Sequence, residues 1–112
     1  MANSNLFKGN LSTIILKLLK EEERMYGYEI TQRVKAATNG KFQITEGALY
    51  PTLHKLEAEG ILKVEVLKVD NRLRKYYKLT EKGTTETAKK ISELEEYIKT
   101  LQGIIYMKPN FG

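Results

Sequence analysis

The sequence predicts a mainly α-helical domain that carries one small β-hairpin and ends in a long helix. Three observations lead to this prediction. Apolar residues recur at helical spacing in the first 60 residues, the period becomes strand-like from Ile61, and helical spacing returns after Thr80. The chain has 112 residues, the size of one small domain.

Two helices are predicted in the first third of the chain. The first runs from Leu11 to Glu22, with Asn10 or Ser12 as its cap. The second runs from Tyr26 to Ala37 and presents Ile30, Val34 and Ala37 on one apolar face. Asn39-Gly40 tolerates positive φ and therefore predicts the end of this helix.

The third helix is predicted to begin at Thr45, whose hydroxyl can cap free backbone amides, and to end at Gly60. Its apolar stripe consists of three leucines, Leu49, Leu53 and Leu56. Pro51 lies inside this helix, where a missing N–H and a ring clash cost about 3 kcal/mol in a regular helix. Two interpretations stay open: the first turn is distorted, or the helix begins later.

Residues 61–80 predict a β-hairpin that carries most of the excess positive charge. Two strand-like runs flank Asp70-Asn71, a pair typical of tight turns, and Tyr77 and Leu79 look like core residues. The chain has a formal net charge of +5, and this segment holds six Lys or Arg against two acidic residues. Such a block indicates a polyanionic partner, nucleic acid before an anionic membrane surface, with a solvated surface as the alternative.

A final helix is predicted after Thr80, which is a candidate cap. From Ile91 its apolar residues follow alternating steps of three and four, the spacing of a short coiled-coil seam. The predicted dimerisation residues are Ile91, Leu94, Ile98, Leu101 and Ile105. The same stripe, which starts at Ala88, could instead pack against the core of its own domain.

Composition excludes several classes of function. The chain has one histidine, no cysteine and no glycine-rich phosphate loop, so we expect no enzyme, no metal site and no cofactor. The longest apolar run in the first helix has three residues, whereas a membrane span needs about 20. We also expect no secretory signal, and the lack of cysteine fits a reducing cytoplasm.

Three helices, a basic hairpin and a long helix follow one another in the order of a winged helix-turn-helix with a C-terminal dimerisation helix. We expect a DNA-binding domain over residues 1–80, the dimerisation helix over 81–106 and a tail over 107–112. A helix fits the major groove of DNA, and a hairpin beside it brings Arg and Lys to phosphates or the minor groove. The candidate DNA-binding residues are Thr45, Gly47, Ala48, Tyr50, Pro51, His54, Lys55, Arg72, Arg74 and Lys75.

Alternatives remain for several of these assignments. Tyr50 could be a partly buried packing residue, and His54 could be only an exposed histidine. Tyr76 shares a strand face with Arg72 and Arg74 and could point to a groove or to solvent. The whole domain could also be a winged-helix protein-interaction module without specific DNA binding.

Three motifs resemble the PadR family of transcriptional regulators. The run EGALYPTLHKLEAEG at residues 46–60 looks like its recognition helix, which carries a proline in the family. YGYEI at residues 26–30 and RKYYKLTEKG at residues 74–83 are similar to its second helix and its wing-to-helix junction. The resemblance implies a cytoplasmic homodimer that acts mainly as a repressor, and a small-molecule effector that releases the DNA. Two-fold symmetry predicts a pseudo-palindromic operator on double-stranded DNA.

The length of the chain is similar to the short subfamily, which has one C-terminal helix. Members of that subfamily that bind flat aromatic drugs use a tryptophan in the last helix, and this chain has none. Tyr97 and Tyr106 offer aromatic surface or pack at the dimer seam, so the effector is left open.

Overall fold

The computed structural model describes residues 4–109. The helices and strands in this range are α1 Ser4–Gly9, α2 Leu11–Glu21, β1 Met25–Tyr26, α3 Gly27–Ala37, α4 Glu46–Ala58, β2 Leu62–Val69, β3 Arg72–Leu79 and α5 Glu81–Ile105. The predicted fold class, mainly α with a small hairpin before a long last helix, is confirmed. Residues 1–3 of the predicted DNA-binding domain and 110–112 of the predicted tail lie outside the described residues.

The helix ends follow the predicted capping chemistry in most cases. The Thr45 hydroxyl accepts a hydrogen bond from the Ala48 amide at 3.2 Å, and the Thr80 hydroxyl accepts one from the Gly83 amide at 2.9 Å. Gly60 has a φ of +76°, as a left-handed helix end requires. Asn10 occupies the cap position of α2, but its side-chain amide donates instead to the Leu6 carbonyl at 2.8 Å.

Pro51 lies inside α4, which begins at Glu46. The interpretation that this helix starts later is therefore wrong. Proline removes only the N–H that would reach the carbonyl of Gly47, four residues earlier. Gly47 is exposed, so water can hydrate that carbonyl, and the helix continues past the proline.

The sheet has three strands in the order β1-β3-β2, so the expectation of a two-stranded hairpin is incomplete. β2 and β3 form the predicted hairpin, here called the wing, with Leu62 paired to Leu79 and Val69 to Arg72. Asp70 and Asn71 both have positive φ, 49° and 63°, which is the backbone of a two-residue turn of type I′. On the other edge of β3, Tyr26 of β1 pairs with Tyr76.

Helix α1 was not predicted from the sequence. It has six residues, too few for a helical period to stand out. The ring of Phe7 stacks on that of Phe42, with centroids 4.5 Å apart and planes inclined by 5°. A contact between residues so far apart in the chain holds this helix on the domain.

The hydrophobic core lies where α2, α3 and α4 meet the base of the wing. The predicted core residue Tyr77 is 2% exposed, and the three leucines of α4 are equally buried. Two expectations about small residues are wrong: Ala37 and Ala88 are exposed. In α5 the buried positions are Gly83 and Thr87, so the side of the helix that packs on the domain passes one residue before Ala88.

Helix α5 extends beyond the rest of the domain, which gives the molecule a longest dimension of 70 Å. Its first turns pack on α2, whereas the apolar residues of its second half are largely exposed. In the described part of the chain, no helix has both the length and the apolar character needed to cross a membrane.

Candidate nucleic-acid interface

Helix α4 has one buried side and one exposed side. Leu49, Leu53 and Leu56 are at most 2% exposed and fix its orientation on the core. The opposite side presents to solvent the residues that the sequence predicted, which are Gly47, Tyr50, Pro51, His54 and Lys55. These five candidates therefore share one accessible surface.

The start of α4 holds the other two candidates of this helix. Thr45 is exposed, although its hydroxyl is already engaged in capping the Ala48 amide. Ala48 is half-buried and packs against the core cluster, so it is less accessible than Gly47. Lys8 of α1 lines the cleft beside these residues. Lys8 was not among the predicted site residues, because α1 itself was not predicted.

Tyr50 packs against α3 and is also accessible to solvent, so its interpretations as a packing residue and as a DNA-contact residue are compatible. Its side chain is 37% exposed. Its hydroxyl lies over Gly27 at the start of α3, where an added Cβ would lie 2.4 Å from the oxygen. The Tyr50 ring is also 6.3 Å from that of His54, which is exposed. Gly27 therefore sets how closely the starts of α3 and α4 approach.

The three wing candidates differ in their surroundings. Arg72 and Lys75 are exposed, whereas Arg74 is half-buried. The Arg74 guanidinium lies 4.4 Å from the centroid of the Tyr26 ring, a cation–π contact. The neighbouring Tyr76 side chain raises the pKa of Arg74 above its ordinary value. Arg74 thus lies against the Tyr26 ring, and Tyr76 is half-buried against Tyr26 rather than free in solvent.

Part of the basic block is neutralised within the fold. Lys78 lies 3.2 Å from Glu65 and 3.8 Å from Glu23, and Arg24 also pairs with Glu65, at 3.6 Å. Among residues 4–109, the remaining cations of the wing have no carboxylate within 4.0 Å; they are Lys63, Lys68, Arg72, Arg74 and Lys75. Apart from Lys63 at the base, the positive charge available to a partner therefore lies towards the middle and tip of the wing.

A cleft of about 280 Å³ lies between α4 and the wing. We call it the wing cleft; it is lined by Tyr26, Gly27, Tyr50, Arg74, Lys75 and Tyr77. It brings together one candidate from α4 and two from the wing. Pro51, His54 and Arg72 lie outside it.

Tyr28 was not identified from the sequence as a site residue. It lies in the first turn of α3, is 64% exposed and lines a cleft with Glu46 and Tyr50. The YGYEI run contained the signal, but the side of α3 on which this ring lies depends on how α3 packs against α4.

The predicted dimerisation residues lie along one stripe of α5, here called the α5 seam. Ile91 and Leu94 are half-buried against the domain, while Ile98, Leu101 and Ile105 are 45%, 37% and 68% exposed. Tyr97, 57% exposed, lines a cleft with Leu94 between α5 and the start of α2. Within the described residues, no group of three His, Asp or Glu side chains lies close enough to hold a metal ion.

Comparison with known proteins agrees with this arrangement. The model of the transcriptional regulator PadR-like family matches residues 15–89. The chain is 38% identical over 102 residues to an uncharacterized protein of Lysinibacillus sphaericus, spanning 88% of this chain and 93% of that one. It is 33% identical over 82 residues to a transcriptional regulator of Mycobacterium tuberculosis, spanning 73% and 74% of the two chains.

Solved structures show the same fold. A transcriptional regulator from Clostridium thermocellum superposes with a TM-score of 0.80 at 31% identity, covering 93% of this chain and 99% of that chain. The match extends past the family model at both ends, so it includes most of α5. The chain therefore belongs to the PadR-like family, whose members are regulators of transcription and not enzymes.

Proposed function

We propose that this chain is a homodimeric repressor that binds a pseudo-palindromic operator with α4 in the major groove and the wing alongside. The observation that carries the proposal is the exposed side of α4, which lies next to the unpaired cations of the wing. A helix presented in this way can reach base edges, and Arg and Lys beside it can reach the phosphate backbone. Binding DNA requires a location with the chromosome, which we expect to be the cytoplasm.

The proposed DNA-contact residues of α4 differ in the chemistry that they offer. Tyr50 and His54 present donors and acceptors that can meet a base edge or a phosphate, and Lys55 supplies a positive charge. Gly47 and Pro51 have small or compact side chains, which permits close approach of the first turns to the DNA. Thr45 and Ala48 flank the helix N-terminus, where a phosphate is favoured; the Ala48 amide already donates to Thr45, so the amides of Glu46 and Gly47 are the ones that can meet a phosphate.

Dimerisation through the α5 seam is the second part of the proposal. Ile98, Leu101 and Ile105 are apolar and exposed, and burying such side chains against a second copy removes them from water. The repeat from Ile91 to Ile105 matches a coiled-coil seam, in which residues three and four positions apart meet a partner helix. Two copies related by a two-fold axis would place two α4 helices about one helical turn of DNA apart.

Family membership supports the remaining parts of the proposal, repression and release of the DNA by a small-molecule effector. The structure offers open surface beside the α5 seam at Leu94 and Tyr97, but nothing in that surface selects one class of ligand.

The proposal is tested by mobility-shift titration of DNA from upstream of the chain's own gene, at two salt concentrations and with competitor DNA. We expect a discrete complex that survives competitor and weakens steeply with salt, because phosphate contacts release counterions. Diffuse binding that competitor removes would contradict operator recognition and would favour an interaction module. As a second arm, reversing the charge of Arg72 and Arg74 to Glu should abolish the complex while the dimer is kept.

A further inference from the structure

We propose that the wing cleft holds one phosphate of the DNA backbone on Arg74, and that Tyr26 and Tyr76 are positioning residues for that guanidinium. The inference rests on the proposed function and specifies how the wing works. It goes beyond assigning Arg74 to DNA contact, because it identifies the ligand group and the two tyrosines that orient the arginine.

The sheet builds two crossed arginine–tyrosine pairs on one face. Tyr26 and Tyr76 are paired across β1 and β3, and their rings meet edge to face with centroids 5.4 Å apart. The guanidinium of Arg74 lies 4.4 Å from the centroid of the Tyr26 ring, and that of Arg24 lies 5.6 Å from that of Tyr76. Each arginine therefore reaches diagonally to the tyrosine of the neighbouring strand.

The two arginines differ in charge compensation. Arg24 lies 3.6 Å from a carboxylate oxygen of Glu65. Arg74 has no carboxylate within 4.0 Å in the described part of the chain, and neither has its neighbour Lys75. Two uncompensated cations thus line one cleft, whose chemistry suits an anion. A guanidinium stacked on the Tyr26 ring keeps the N–H groups at its edge available as a fork, the geometry that binds phosphate through two hydrogen bonds.

The position of the cleft identifies the anion. It lies between α4, which the proposed function places in the major groove, and the wing, which it places alongside. The sugar-phosphate backbone forms the edge of the major groove, so it lies between a helix inside that groove and a wing outside it. A volume of about 280 Å³ accommodates a phosphate group with its water. Tyr50 lines the same cleft from the α4 side and can donate its hydroxyl to that phosphate.

The test compares variants by the salt dependence of binding to short fluorescein-labelled duplexes, measured by fluorescence anisotropy. One duplex carries the region upstream of the chain's gene and the other an unrelated sequence. Arg74→Ala removes the phosphate contact, and Arg24→Ala is the matched control. Because a phosphate contact does not depend on sequence, both duplexes report on it.

We expect Arg74→Ala to weaken binding to both duplexes about tenfold. It should also lower the slope of log K against log salt by about one for each bound protomer. Arg24→Ala should leave the slope unchanged. An unchanged slope for Arg74→Ala, or an equal loss for Arg24→Ala, would overturn the assignment of the phosphate to Arg74.

The positioning role needs a double-mutant cycle. Tyr26→Leu should weaken binding in the wild-type background, keep the salt slope because the charge stays, and have no further effect when combined with Arg74→Ala. An equal loss in both backgrounds would show a general structural effect and overturn the role of Tyr26. Should Tyr26→Leu unfold, Tyr76→Leu removes the ring that packs edge to face on Tyr26 and is expected to show the same coupling.

The outcomes also separate the inference from the proposed function. If the wild-type protein binds both duplexes equally, operator recognition fails, while the salt slopes still decide whether Arg74 holds a phosphate. If it binds neither duplex, both the proposed function and the inference are overturned.

Discussion

Gly83→Ala tests the packing of α5 on the domain, because helix propensity predicts a gain in the free energy of unfolding and the structure predicts a loss. Gly83 lies in the first turn of α5, where alanine is the better helix former by about 1 kcal/mol. An added Cβ at this position would lie 2.0 Å from the carbonyl oxygen of Ile61 and 3.0 Å from its carbonyl carbon. These are backbone atoms, so no side-chain rotation can relieve the clash.

The structure also gives the size of the effect. The Ile61 carbonyl accepts a hydrogen bond from the Thr80 amide at 3.1 Å, whereas the Thr80 hydroxyl donates mainly to the Gly60 carbonyl, at 2.6 Å. Moving the Ile61 carbonyl aside costs about 1–3 kcal/mol for overpacking and weakens one hydrogen bond worth about 1 kcal/mol. After the gain of about 1 kcal/mol in helix propensity, we expect Gly83→Ala to lower the free energy of unfolding by about 1–3 kcal/mol. The corresponding fall in Tm is about 10 °C.

Thermal unfolding followed by circular dichroism, at one protein concentration, measures this change. Gly103→Ala is the matched control, since Gly103 lies in the same helix and an added Cβ would meet nothing within 4 Å. The control should be as stable as the wild-type protein or up to about 1 kcal/mol more stable. A Gly83→Ala protein with the Tm of the wild type would refute the close approach of α5 to Ile61.

Three further predictions concern the α5 seam, the buried Thr87 and the buried Tyr77. Ile98→Glu places a charge on the α5 seam and should give a monomer in light scattering, with weak affinity for the operator. Thr100→Glu on the polar side of α5 should stay dimeric. A dimeric Ile98→Glu protein would contradict dimerisation through the α5 seam. Thr87 is fully buried and its hydroxyl has no hydrogen-bond partner in the described structure. Thr87→Val should therefore raise the free energy of unfolding, measured by urea titration, by about 1–2 kcal/mol. A lower free energy of unfolding would show that the hydroxyl stabilises the fold and would contradict this prediction. Burial raises the pKa of Tyr77, with Glu57 and Tyr50 adding to the effect, so the folded state keeps this proton longer than the unfolded state. The contribution of Tyr77 to stability should be constant below about pH 10 and fall above it. Tyr77→Phe should therefore flatten the fall in stability above about pH 10, and identical profiles of the two proteins would contradict the role of Tyr77.

The regular elements could be predicted because their signals are local. The leucines of α4 and the caps Thr45 and Thr80 lie within a few residues of the groups they contact. Asp70 and Asn71 predicted the wing turn for the same reason. In contrast, β1 has two residues and forms only because β3 offers a free edge, which no pattern around Met25 reveals.

The candidate site likewise combines residues with a local signal and residues that only tertiary contacts bring together. The exposed side of α4 follows from helical geometry once the leucine stripe is known, so Tyr50 and His54 could be placed from the sequence. The surroundings of Arg74 could not, because Tyr26 lies 48 positions away and meets it only through β1. The approach of Tyr50 to Gly27 is likewise a tertiary contact without a local signal.

Hydroxyl-radical footprinting of the wild-type protein on DNA upstream of its gene is the most direct test of dimeric operator binding, because it reports dimer geometry and backbone contact together. We expect two protected segments with two-fold symmetry, centred about one helical turn apart. Protection should extend over the phosphates between each α4 site and its wing. A single protected segment, or protection that unrelated competitor DNA removes, would contradict a dimer that binds two half-sites.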